Sequence, residues 1–225
     1  MIQDHVPAAE YARWIGEASL RDSFLKAPYF KPKGFAGGVY RVGPLARMNV
    51  VDQCGTPEAD AALREFRARF GIPAHSAFLY HYARLVEILY ALERIEALVK
   101  DPDLLDSHVR AKATVNALEG VGMIEAPRGV LIHHYKVNDD GAIVWANLVV
   151  ATGHNNLAIG RSIQQVSEHF VNGNKLEEGM LNRVSAVVRA YDPCLSCSTH
   201  AAGDFALQIQ LVGADGELLH QISRP

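Results

Sequence analysis

Cysteine is scarce, with three in 225 residues, an odd count too small to staple a fold with disulfides. No apolar run approaches the roughly 20 residues that a membrane-spanning helix needs. The opening MIQDHVPAAEYARW lacks the basic-then-apolar order of a secretion signal. The expectation is a cytoplasmic protein with no membrane span. Charge of one sign is not in excess either: 22 Lys and Arg face 25 Asp and Glu for a net charge of -3. They are scattered without a basic stripe, which argues against nucleic acid as a partner. Internal repeats and low-complexity linkers are also missing. What is abundant is apolar side chain, 49 % of the residues, enough to build a core and to exclude disorder.

The patterning predicts an α+β fold that is predominantly α-helical, with long packed helices and a β-hairpin. The first 40 residues mix aromatics, Pro and Gly (APYFKPKGFAGGVYRVGP) and read as irregular. Residues 56–70 open with a Thr N-cap, a Pro and two acids and read as a helix. Residues 76–100 are the strongest helix, with Leu85, Leu89, Leu92 and Ile95 on one face, widened by Val86, Ile88 and Leu98. Asp101 and Pro102 stop it, and a further helix is expected up to Gly120. Two β runs at 129–137 and 142–150 flank the turn NDDG. Helices over 157–171 and 177–191 follow, then DPCLSCSTH, then a tail that suits a small hairpin around Ala214, Asp215 and Gly216.

Cys194, Cys197 and His200 are spaced by three, so on a turn or helix start their side chains can converge. Two thiolates and an imidazole suit nickel, zinc or iron. Spacing alone leaves a structural zinc half-site, a redox pair and a packed pair open. His133 and His134 are adjacent in a strand and point to opposite faces, one packed and one exposed. Cys54 is isolated and reads as a small packed residue. Glu87, Glu93 and Glu96 read as a solvated or subunit-facing charged edge.

The residues around the pair go further. YDPCLSCSTH (191–200) resembles the C-terminal nickel-binding signature of nickel-iron hydrogenase large subunits. GVYRVGPLARMN, FLYHYARLVEILYALERIE, EGVGMIEAPRG and EGMLNRV are similar to segments of the same family in the same order. The flavour is closest to the cytoplasmic multimeric group that couples to NAD, deazaflavin or a heterodisulfide reductase. The resemblance implies the C-terminal part of the hydrogenase large-subunit fold and reversible heterolytic cleavage of dihydrogen to a hydride and a proton. It implies Cys194 as a terminal nickel ligand, and Cys197 as a bridge from nickel to an iron carrying cyanide and carbon monoxide. His200 would help hold a magnesium ion, and Asp192 and Thr152 would stand behind the ligands, Thr152 donating to a cyanide. Arg128 would lie over the metals, where its guanidinium can act on bound hydrogen and hydrogen-bond cyanide, and either a terminal thiolate or Arg128 would take the proton. Ala151 departs from the family's pattern, where proline is common.

The family's other cysteine pair, in an Arg-x-Cys-Gly-x-Cys-like motif, does not occur here. The chain would then supply half of the ligands and be inactive alone. Residues 1–200 read as an incomplete large-subunit domain. Residues 201–225 read as an extension of a precursor, removed by cleavage between His200 and Ala201. Implied partners are the remaining N-terminal part of the large subunit, a small subunit with iron-sulfur clusters, a maturation endopeptidase and nickel-insertion proteins. Two rivals stand beside this reading: a metal-free relative like the quinone-side subunit of respiratory complex I, and a zinc-binding module.

Overall fold

The computed structural model describes residues 6–21, 23–111, 114–171, 173, 175–194, 197 and 207–224. Helix α1 (Tyr11–Trp14) runs into β1 (Ile15–Ala18), which pairs with β2 (Ala27–Phe30). Helices α2 (Gly34–Gly37), α3 (Pro44–Val50), α4 (Pro57–Phe70) and α5 (Leu79–Leu98) follow. Strands β3 (Glu119–Ala126), β4 (Gly129–Val137) and β5 (Ile143–Val149) form an antiparallel sheet in that order. Helices α6 (Ala151–His154), α7 (Asn156–Phe170) and α8 (Glu178–Ala190) lead to a hairpin of β6 (Leu207–Val212) and β7 (Leu218–Arg224). The expected α+β, mainly helical class is what the structure has. The chain divides into two compact units, Met1–Ile15 with Val42–Ala151, and Gly16–Arg41 with Thr152–Pro225.

In the first unit, α4 buries Ala59, Leu63 and Phe66, and α5 buries Tyr80, Ala83 and Val86. The inner face of α5 is therefore not the leucine stripe. Leu85, Leu92 and Ile95 are 64, 58 and 55 % exposed, because α5 is apolar around much of its circumference and period alone does not say which stripe packs. The sheet packs Ile132 and Val149 on Tyr11 of α1.

The start of α4 is closed from outside the helix. Thr56 has the extended backbone of an N-cap, but its hydroxyl makes no cap bond. It donates instead to Glu93 of α5 at 2.6 Å, and Glu93 also accepts the N–H groups of Glu58 and Ala59 at 3.1 and 3.0 Å. A carboxylate there satisfies two otherwise unmatched helix donors and faces the positive end of the helix dipole. Asp60 similarly accepts the N–H groups of Cys54 and Gly55. The reading of the three glutamates as a solvated or subunit-facing charged edge is corrected for two of them: Glu93 caps α4 and Glu87 pairs with Arg47, while Glu96 is exposed and makes an i,i+4 pair with Lys100.

The helix expected up to Gly120 is a second correction. Pro102–Leu105 forms one 3-10 turn, closed by the Asp101 carboxylate on the Asp103 N–H, and Glu119 already begins β3. The hairpin read from sequence is the β4–β5 half of a three-stranded sheet. Adjacent His133 and His134 do project to opposite faces of β4, but both are half-buried, not one packed and one exposed.

In the second unit, α8 buries Leu181, Val184, Val187 and Ala190 along one stripe. The Tyr191 hydroxyl shares a 2.9 Å hydrogen bond with Ser162 of α7. The β6–β7 hairpin turns as expected at 214–216, and its His220 ring accepts the Leu176 N–H.

Two outcomes follow for the first unit. Hydrogen bonds from the Thr56 hydroxyl, then from the two amides, hold the Glu93 carboxyl below the usual carboxylate range. Its contribution is complete above the ordinary carboxylate pKa and is lost as pH falls through the lowered folded-state value. Glu93→Gln is expected to lower Tm by a few degrees at neutral pH, and the gap from the parent should close in acid. Gly43 has φ 90°, and a Cβ there would lie 2.8 Å from the Arg128 carbonyl oxygen. Gly43→Ala is expected to cost about 1–3 kcal/mol in denaturant unfolding.

Candidate metal centre

Helix α8 ends in a way that delivers the cysteine pair. Tyr191 and Asp192 still bond back through their N–H groups, to the carbonyls of Val188 and Arg189 at 3.1 and 3.0 Å. Asp192 then takes φ 51°, the only non-glycine residue with positive φ among those described. This left-handed step is a common way to stop a helix, and Asp tolerates it better than most residues. Pro193 cannot rejoin the helical ladder. The chain turns, and the Cys194 N–H donates to Thr152 Oγ1 at 3.1 Å.

Cys194 and Cys197 have Cα atoms 5.4 Å apart, and their Sγ atoms meet as a disulfide. Both sulfurs thus reach one point, as a shared metal requires once the pair is reduced to thiolates. Thr152 is 4 % exposed and begins the buried run Thr152, His154 and Asn155 in and just after α6. His154 shares a short hydrogen bond through Nδ1 with the Tyr40 phenol. Burial, then the charge of Glu17, pushes the Tyr40 pKa up, so the phenol stays neutral. His200 and the bond between His200 and Ala201 lie outside the described residues. Among the described residues no three His, Cys, Asp or Glu side chains gather as a metal cluster. The donor set fits a metal as two soft ligands of a larger set.

Arg128 belongs to the first unit, half-buried in the two-residue connection Pro127–Arg128 between β3 and β4. This connection is held by Arg47 of α3. The Arg47 guanidinium donates from Nη1 to the Ala126 carbonyl at 2.9 Å and from Nη2 to the Pro127 carbonyl at 2.7 Å. It also donates from Nε and Nη2 to the two oxygens of Glu87 at 2.5 and 2.7 Å, and from Nη1 to Glu125. Burial alone would lower the Arg47 pKa. The hydrogen bonds and charges of Glu87 and then Glu125 outweigh it and raise the value above the ordinary arginine range.

The other singled-out residues have structural work. His134 Nδ1 meets the Tyr11 hydroxyl at 3.1 Å and Nε2 meets Glu119 at 2.8 Å, so both ring nitrogens are engaged. His133 Nδ1 meets the Tyr135 hydroxyl at 2.8 Å. Cys54 is half-buried, and burial, then the charge of Asp60, pushes its thiol up, away from the thiolate that a ligand needs.

A family model described as nickel-dependent hydrogenase matches residues 4–200. The chain belongs to the nickel-dependent hydrogenase family. It is 42 % identical over 219 residues to the beta subunit of the NAD-reducing hydrogenase HoxS of Cupriavidus necator, covering 96 % of this chain and 45 % of that protein. To a vhc F420-non-reducing hydrogenase component of Methanococcus voltae it is 44 % identical over 200 residues, covering 87 % of this chain and 42 % of the relative. Its structure is similar to a crystal structure of NAD+-reducing [NiFe]-hydrogenase in the H2-reduced state, with TM-score 0.82 and 43 % identity over 88 % of this chain and 44 % of that one. A [NiFeSe] hydrogenase variant from Desulfovibrio vulgaris Hildenborough is more distant, with TM-score 0.56 and 28 % identity over 79 % and 38 % of the two chains. The chain thus spans a little under half the length of these relatives. Among the described residues no helix is long and apolar enough to cross a membrane.

For this hydrogenase-family chain, sequence reasoning missed Arg47, Tyr40 and His154. Arg47 sits in RVGPLARMN, a segment that carried the resemblance without a role of its own. Its role depends on Glu87 and Glu125, 40 and 78 residues away, which no local pattern reveals. The Asp192 geometry makes a direct forecast. Asp192→Val should cost about 1–2 kcal/mol more than Asp192→Gly by chemical denaturation, because a β-branched side chain resists left-handed backbone that glycine adopts freely.

Proposed function

We propose that this chain provides the C-terminal nickel-iron ligands of a hydrogenase large subunit, working with other subunits in the reversible heterolytic oxidation of dihydrogen. Cys194 would hold nickel as a terminal ligand, and Cys197 would be shared between nickel and iron. His200 helps hold magnesium, and Asp192 and Thr152 support the ligands from behind. When bound, the nickel and the cyanide- and carbonyl-carrying iron supply the site at which dihydrogen is polarised and split. The observation that carries the reading is the end of α8: two cysteine sulfurs at one point, with Cys194 tied through its N–H to Thr152.

The protein's own residues supply position and proton handling. A hydroxyl has one donor and two acceptor sites. Thr152 accepts from Cys194 and keeps its proton to donate toward a cyanide. A reduced terminal thiolate takes up the proton released from dihydrogen, or the Arg128 side chain relays it, giving up one N–H proton to regain one. In the assembled enzyme, iron-sulfur clusters of a small subunit would accept the electrons, with NAD, deazaflavin or a heterodisulfide reductase beyond them. The exposed leucine stripe of α5 and the exposed Ile143, Val144 and Trp145 of β5 supply apolar surface for partners, among them the rest of the large subunit. A cytoplasmic location fits these soluble partners. The segment 201–225 is a maturation extension cut between His200 and Ala201 by an endopeptidase after nickel-insertion proteins have loaded the site. The match to the family model, which stops at residue 200, supports that boundary.

Metal analysis of the assembled complex tests the reading. Nickel together with iron is expected. Zinc alone would indicate a zinc module, and no metal a structural relative of the complex I type. Cys194→Ser and Cys197→Ser should each remove most of the nickel. Thr152→Val should shift an infrared cyanide band that Thr152→Ser leaves in place.

A further inference from the structure

We propose that Arg47 is a positioning residue for dihydrogen turnover, acting solely by fixing the peptide that carries Arg128. The inference rests on the reading of Arg128 as a group of the reaction.

Arg47 has five N–H donors, and five hydrogen bonds leave it: two to Glu87, one to Glu125, and one each to the carbonyls of Ala126 and Pro127. The complete donor set of the guanidinium is used. The next carbonyl, that of Arg128, faces Gly43, where a Cβ would stand 2.8 Å from its oxygen. Gly43 lies four residues before Arg47, whose N–H bonds the Gly43 carbonyl at 3.0 Å. Tyr80 of α5 pins the neighbouring Val42 carbonyl through its hydroxyl at 2.8 Å. Three successive carbonyls, 126 to 128, are thereby registered against one helix start.

This is more than the hairpin itself needs. A two-residue connection is closed by its own strand pairing, and β3 and β4 pair fully from Glu119 with Lys136 to Ala126 with Gly129. The added bonds act on the direction in which the connection points. Glu87 holds both ends of the guanidinium fork and so aims it, a bidentate geometry that lysine cannot reproduce with three donors on one nitrogen. Arg47 itself is only 18 % exposed and its hydrogens are spent, so it is a support and not a proton carrier.

The test is a double-mutant cycle in the assembled, metal-loaded complex. Arg47→Lys is expected to lower kcat about a hundredfold with KM for dihydrogen unchanged, the scale of a small misplacement at a reacting group. In an Arg128→Lys background the same change should add less than about a twofold loss. Hydrogen exchange should quicken at residues 126–129 and not in α8, and nickel and iron content should stay at the parent level. If Arg47→Lys does not assemble, Glu125→Gln, which weakens only the exposed arm, is expected to give a loss of about two- to fivefold that is likewise absent in the Arg128→Lys background. Equal fold losses in both backgrounds, or parental turnover despite faster exchange, would overturn the proposal. Parental turnover in Arg128→Lys alone would instead overturn the reading of Arg128 on which it rests.

Discussion

The constraint on which the first unit turns is the hydrogen-bond capacity of one half-hidden guanidinium. Arg47 is mostly removed from water, and a cation so placed is tolerated only where its donors are met. Two carboxylates and two carbonyls meet them, and the acceptors come from α5, from the end of β3 and from the turn after it. An exposed pair would contribute about 0–1 kcal/mol. Breaking a buried one by removing a partner costs about 3–5 kcal/mol, because the remaining charge is stranded. Geometry comes with that cost, since a planar fork allows one orientation where a packed aliphatic chain would allow several. The close approach of Gly43 to the same turn works in the same sense: backbone against backbone leaves no side chain to slide.

The second unit solves a related problem with fewer parts. The cysteine pair must leave α8 in a fixed direction, and three consecutive residues achieve it. Tyr191 anchors the end of the helix to Ser162, Asp192 turns left-handed, and Pro193 forbids a return to the helix. Thr152 then receives the first amide beyond the turn. The Asp-Pro of the motif is thus explained by chain direction before any metal chemistry is considered, and the proposed ligand role would add to a geometry that the backbone already requires.

These two cases divide what could be read in the sequence from what could not. The end of α8, the β4 and β5 runs and the tail hairpin are local: their signals lie within a few residues, and the structure has them almost at the expected bounds. The spacing of Cys194 and Cys197 is local in the same sense, and the structure brings their two sulfurs together. The failures are non-local or compositional. Residues 103–120 have helical spacing, but pairing of β3 with β4 claims Glu119 onward, and of the stretch before it the described residues form only the 3-10 turn Pro102–Leu105. Glu93 looked solvated because its partners sit at the start of another helix, 34 to 37 residues away. Arg47 carried no signal at all beyond membership of a familiar segment.

Helix α5 shows why such a division arises. Its inner side is set by small and polar contacts: Ala83 and Val86 pack, Tyr80 reaches the Val42 carbonyl, Glu87 meets Arg47, and Glu93 caps α4. The larger aliphatic residues face outward. Orientation is therefore decided by the directional groups, because hydrophobic burial has no preferred direction and an all-round apolar helix gains about as much from either face. Turning Glu87 away would leave the Arg47 guanidinium short of two acceptors, whereas a leucine facing outward forfeits only transfer free energy that another surface can restore. The polar minority of α5 thus fixes its rotation, and the same rotation sets Glu87 where it can aim Arg47 at the turn that carries Arg128.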